Sequence, residues 1–243
     1  MNQIPSFEEL DYQQTSLGEL ILRKRSILAL DNLEVYEIIL GDAFLMSSLF
    51  TKVEQELSRL SLTRAIEAFP SSPLDIVVGG LGLGYTAHAA LKFKEVRSLQ
   101  VIDYLAPVIE WHQKELAPLG KILNADSRCH FTHEDFFERS LSEGYYQANT
   151  EVHAVLLDID HSPSHLLTHE NANFYSTEGL SRFAKKIKPG GVFGLWSDDP
   201  PEENFLRSLN EVFSSVETHI VPFHNPIQDQ EFESTVYVAV KAD

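Results

Sequence analysis

The chain has 243 residues, 43% of them hydrophobic and 10% aromatic, and 19 basic against 36 acidic side chains give a formal charge of −17. That size suits one large α/β unit with a small appendage, and the negative charge repels phosphate backbones and anionic lipid, so nucleic acid and membranes are not expected partners. The single Cys129 excludes an internal disulfide framework, no apolar run reaches bilayer length, and the N-terminus lacks the basic and apolar regions of a signal peptide; a cytoplasmic location is expected.

Residues 1 to about 16 show no sustained periodicity. GELILRKRSILAL (18–30) and LEVYEIIL (33–40) then flank Asp31-Asn32 as two β-rich runs around a turn, which predicts a small hairpin. From Ala43 to about Leu60, Leu45, Leu49, Phe50, Val53, Leu57 and Leu60 recur at helical spacing and predict a linking helix. Pro70 and Pro73 mark the boundary, so residues 1–70 are expected to form the appendage and 71–243 the nucleotide-binding unit.

Beyond the boundary, strand-like runs (IVVGG, LQVID, CHFTH, VHAVLLDID, GGVFGLW) alternate with helix-like ones (from about Gly84, PVIEWHQKEL, EDFFERSL, FYSTEGLSRFAKKI, EENFLRSLNEVF). Alternation of this kind predicts a Rossmann-like, doubly wound, mainly parallel sheet. VETHIVPF and STVYVAV have only HNPIQDQEFE between them, so they are expected to pair antiparallel at one edge, completing seven strands.

In such a sheet, ligands sit beyond the carboxyl ends of the strands. The first strand ends in Gly80-Leu81-Gly82-Leu83-Gly84, a G-x-G-x-G turn of the kind found at adenosyl-sulfonium sites; a G-x-G-x-x-G dinucleotide fingerprint would need glycine at Tyr85. The second ends at Asp103, nineteen positions after Gly84, where a carboxylate can accept from both ribose hydroxyls. After the third come Glu134-Asp135-Phe136: Asp135 can accept from an adenine amino group with Phe136 against the ring, or cap the next helix. The fourth ends in Asp158 and Asp160, which place carboxylates at the reacting end of the pocket.

His161, His165 and His169 recur every four residues and would share a face if helical, but Pro163 interrupts them; acceptor-site lining is a reading for His161 and no metal is expected. The acids of WSDDPPEEN (196–204) suit a helix start or attract a cationic acceptor.

The order of glycine turn, acid after the second strand, Glu-Asp-Phe, Asp158 at the fourth strand end and Lys188-Pro189-Gly190-Gly191 resembles the spermidine-synthase-like proteins over roughly residues 18 to 240, within the wider adenosylmethionine-dependent methyltransferase fold. The resemblance implies an adenosyl-sulfonium donor, attack on a carbon bonded to positive sulfur, and dimerisation through the N-terminal β-element. It also exposes departures. Aminopropyltransferases of this group carry an aspartate in the turn, which helps hold the amine of the decarboxylated donor, where this chain has Gly82. Their strand end resembles D-S-S-D-P, whereas here Asp158-Ile159-Asp160-His161 places His161 at the second acid, unless Asp160 substitutes. A Tyr-Gln/His-Glu segment that helps close the polyamine site stands here as Met46-Ser47-Ser48.

Loss of the turn acid relieves repulsion against a donor that keeps its carboxylate. The expectation is therefore an S-adenosylmethionine-dependent transferase that binds its donor through Gly80, Gly82, Gly84, Asp103, Asp135 and Phe136. Asp158 is the catalytic candidate, and Asp160 and His161 line the acceptor site. Methyl transfer to a small amine-bearing, cationic acceptor is the leading reading. Aminopropyl transfer from decarboxylated S-adenosylmethionine and a catalytically silent nucleoside-binding protein are the alternatives.

Overall fold

The computed structural model describes residues 6–142, 144–146 and 150–243; the first five residues, part of the N-terminus read for a leader, lie outside them. An antiparallel sheet comes first: β1 (Phe7–Thr15), β2 (Gly18–Ile27), β3 (Leu33–Leu40) and β4 (Ala43–Ser47), in that spatial order. Where the sequence suggested one hairpin, four strands form. β1 was illegible because FEELDYQQT is largely exposed and offers no apolar alternation. β4 occupies the start of the expected linking helix, whose true start is Lys52: α1 runs Lys52–Ala68.

The second sheet collects β5 (Leu74–Gly79), β6 (Val96–Asp103), β7 (Cys129–His133), β8 (Val152–Leu157), β9 (Ile187–Ser197), β10 (Ser215–Asn225) and β11 (Gln230–Val240). Its order is β10-β11-β9-β8-β5-β6-β7, with the five strands from β9 to β7 parallel and β11 and β10 antiparallel at the edge, as expected from the missing helix between them. Connecting helices are α2 (Tyr85–Leu91), α3 (Ala106–Gln113), α4 (Gly120–Ala125), α5 (Phe136–Leu141), α6 (Ala172–Tyr175), α7 (Thr177–Ala184) and α8 (Glu203–Val212).

Strand alternation sorts the core into two layers. Ile76 and Val78 of β5, with Ala154 and Leu156 of β8, face α1 to α4 and meet Leu57, Val108 and Trp111 together with Leu20, Leu22 and Ile38 of the first sheet. Val77, Val155 and Leu157 face the other way, into an aromatic layer of Phe136, Phe174, Phe183, Phe193 and Phe205. The first sheet is also tied down by polar contacts, Trp111 Nε1 donating to Asp11 Oδ2 at 2.6 Å. Among the described residues no helix is long and apolar enough to cross a membrane.

Candidate active site

β6 and β8 flank β5 on opposite sides, so the strand order reverses there and a crevice opens beyond the strand ends. A cavity of about 710 Å³ fills it, roofed by the first sheet and the start of α1. It is lined by Gly80, Gly82, Asp103, Asp135, Phe136, Asp158 and His161 among the residues singled out in the sequence, and by Met46, Glu54, Tyr104, Trp196 and Asp198 among others.

The glycine turn is held from all sides. Asp158 N–H donates to the Gly79 carbonyl at 2.8 Å, and Gly80 (φ +91°) passes so close that a Cβ would stand 2.0 Å from the Asp158 carbonyl oxygen. Gly80 N–H donates to the Ile102 carbonyl, Leu81 N–H to Asp103 Oδ2 at 2.8 Å, Leu83 N–H to Met46 Sδ at 3.2 Å and Gly84 N–H to the Leu81 carbonyl. Asp103 thus staples the turn through one oxygen and the start of the next loop, at Leu105 N–H, through the other. Its burial raises its pKa against these hydrogen bonds.

Gly82 (φ +48°) has Met46 against it: a Cβ there would meet Met46 Sδ at 2.8 Å. His112, which the sequence reading passed over, sits beneath the turn with Nε2 2.9 Å from the Gly82 carbonyl; burial pushes its pKa down to about 4. The ring is therefore neutral at physiological pH and donates Nε2–H to that carbonyl. Gly84 does not line the cavity. A Cβ on it would meet Leu123 at 2.7 Å and His112 at 2.9 Å, so its requirement is packing of the helix start.

Asp135 accepts from Phe137 N–H and Glu138 N–H through Oδ1, the N-cap of α5. Phe136 packs under Gly79 with its edge at the cavity. Asp160 is not a lining residue. It is 1% exposed, and its carboxylate accepts from Leu167 N–H, Asn171 Nδ2 and the Tyr175 hydroxyl, which folds the 161–171 segment over the crevice. His161 reaches the cavity from that segment. Residues 158–168 are not helical, so the four-residue histidine spacing does not produce a shared face.

At the reacting end, Asp158 Oδ2 accepts from Thr86 Oγ1 at 2.6 Å, and the Thr86 carbonyl in turn accepts from Ser58 Oγ of α1 at 2.8 Å. One helical turn before Ser58 stands Glu54, 9% exposed and facing the cavity. Burial, then the nearby Asp158 and Asp198, push Glu54 up to about 8, and burial pushes Asp158 up to about 6. The pair therefore carries one proton near neutral pH. Lys52 also reaches the cavity wall, but its ammonium is engaged by the Pro222 carbonyl. Glu54 was missed because its only local signal, Thr51-x-x-Glu54, reads as a capping box; the informative sign was an acid within the apolar stripe of Val53 and Leu57.

No family model matches the chain. The chain superimposes over its whole length on a spermidine synthase in complex with the transition-state analogue AdoDATO, with a TM-score of 0.71, 14% identity and 80% of that chain covered. The fold is the spermidine-synthase fold. A spermidine synthase from Thermotoga maritima shows the same fold at TM-score 0.71, 15% identity, 100% of this chain and 81% of the other. A probable spermidine synthase from Corynebacterium glutamicum gives 0.62 at 12% identity, over 98% of this chain and 81% of the other. In sequence, the chain is 26% identical over 145 residues to a polyamine aminopropyltransferase from Prochlorococcus marinus (strain NATL1A), covering 57% of this chain and 46%, about half, of that relative's length.

Proposed function

We propose that the chain transfers an aminopropyl group from decarboxylated S-adenosylmethionine to an amine acceptor, rather than the methyl transfer favoured by sequence alone. The observation that carries this reading is the charge of the crevice. Glu54, Asp158 and Asp198 stand together at its α1 end, and the turn amides that could receive a donor carboxylate already serve Ile102, Asp103, Met46 and Leu81. An intact donor would bring its carboxylate to this acidic wall, where the only lysine or arginine among the described lining residues is Lys52, held at the wall by the Pro222 carbonyl, whereas a decarboxylated donor brings only an ammonium. The spermidine-synthase fold and the aminopropyltransferase relative support the same choice.

In this reading the adenosine lies toward Asp103, Tyr104, Asp135 and Phe136, and the sulfonium toward Gly80 and Asp158. The acceptor nitrogen's lone pair attacks the methylene carbon bonded to sulfur. As the C–N bond forms, the C–S bond breaks, its electron pair stays on sulfur, and methylthioadenosine leaves as a neutral thioether. Asp158, fixed by Thr86, orients the amine and takes the proton released from nitrogen. The acidic wall and His161 favour a small cationic amine as acceptor. Calorimetric titration with both donors tests the reading: tighter binding of decarboxylated than of intact S-adenosylmethionine supports it, and equal or reversed preference overturns it.

A further inference from the structure

Glu54 is a buried carboxylate that faces a ligand cavity and, among the described residues, has no cationic partner within ion-pair distance. Burying such a group in its ionised form costs several kcal/mol unless something compensates it, and in the free protein a proton does so. Two explanations compete. As the third residue of α1 after Thr51, it matches the sequence pattern of a capping box, but the Thr51 side chain makes no capping hydrogen bond. Alternatively, it awaits a cation that arrives with the ligand.

The surroundings favour the second. Glu54 lies close enough to Asp158 at the reacting end of the crevice for the two carboxyls to act on each other, and it is among the most enclosed polar groups on the cavity wall, whereas Glu170 and Phe232 are exposed. A deep, enclosed carboxylate meets the part of the ligand that enters first and farthest. The turn itself supplies no acid there: Gly82 stands at its centre with Met46 Sδ packed against it, and that sulfur also meets the Leu83 amide.

We propose that Glu54 is the counter-ion for the ammonium at the end of the donor's transferable chain, and so the residue that selects an amine-terminated donor. This rests on the aminopropyl-transfer reading above. α1 thereby supplies a charge that the glycine turn lacks, and Met46 seals the turn beneath it.

The test is Glu54→Gln, which keeps the size and shape of the side chain and removes the charge. Binding of decarboxylated S-adenosylmethionine and of methylthioadenosine, which shares the nucleoside and sulfur but has no amine, is measured on wild type and variant by calorimetry. The variant should lose about 30-fold or more in affinity for the amine-bearing ligand while methylthioadenosine binds within about twofold of wild type. Unchanged affinity for the decarboxylated donor, or an equal loss for both ligands, overturns the assignment of Glu54 alone. Failure of the wild-type protein to bind the decarboxylated donor overturns the aminopropyl-transfer reading, and the assignment with it.

Discussion

Gly80 and Gly41 offer a controlled pair for the claim that the turn and Asp158 are held by close backbone approach. Both have positive φ, +91° and +56°, so alanine at either pays for a left-handed conformation, about 1–2 kcal/mol. Around Gly41 nothing lies within 4 Å of an added Cβ, and the cost should stop there. At Gly80 the Cβ would stand 2.0 Å from the Asp158 carbonyl oxygen. Neither strand end can yield easily, since Gly80 N–H is bonded to Ile102 and Asp158 N–H to Gly79. An overpacking cost of about 1–3 kcal/mol adds to the conformational one, so Gly80→Ala should lose about 2–5 kcal/mol, a large share of the stability of an ordinary domain. Urea unfolding of both variants measures the difference, which at an m-value of about 3 kcal/mol/M is a midpoint shift of up to roughly 1 M beyond that of Gly41→Ala. Equal losses at the two positions would refute the close-approach reasoning.

Asp158→Asn should lower kcat by about 10²–10⁴-fold and leave methylthioadenosine affinity near wild type; turnover within threefold of wild type would remove Asp158 from proton handling. In the wild type, kcat/KM should fall as pH drops through about 6, because the carboxylate raised by burial must be ionised to accept the proton. Glu54 carries a folded-state pKa raised to about 8 against an ordinary value near 4.5, so the folded chain binds more protons than the unfolded one between these limits, and the Glu54 contribution to stability is lost as pH rises through them. Glu54→Gln should therefore gain stability relative to wild type from pH 5 to pH 8.5, on the order of a few kcal/mol; a pH-independent difference in urea unfolding would contradict this. Asp160→Ala strands three buried donors, from Leu167, Asn171 and Tyr175. Each costs about 1–3 kcal/mol, and chymotrypsin should cut at Leu166 or Leu167 faster than in wild type.

The doubly wound sheet was legible because β5, β6, β8 and β9 are buried apolar runs punctuated by Gly80, Asp103, Asp158 and Trp196, and strand ends of this kind survive any detail of packing. The first sheet was half legible. β2 and β3 carry alternating burial, but β1 is polar, and the apolar positions of β4 and α1 fall by coincidence at a common helical spacing. Within the site, the residues that the chain order brings to strand ends were found, and those delivered by tertiary packing were not. Met46, Glu54, Thr86 and His112 act on the turn or on Asp158 from separate elements, and no local pattern announces such a meeting. Asp160 shows the reverse limit: the sequence places this acid beside Asp158 in the acceptor site, whereas its carboxylate is engaged by Leu167, Asn171 and Tyr175 of the following segment.

The chemistry assigned to the crevice is tested most directly by the nucleoside product. With a diamine present, incubation with decarboxylated S-adenosylmethionine should release methylthioadenosine, detected by mass spectrometry, together with an amine heavier by one aminopropyl group. Release of S-adenosylhomocysteine from intact S-adenosylmethionine, with no methylthioadenosine from the decarboxylated donor, would contradict the account.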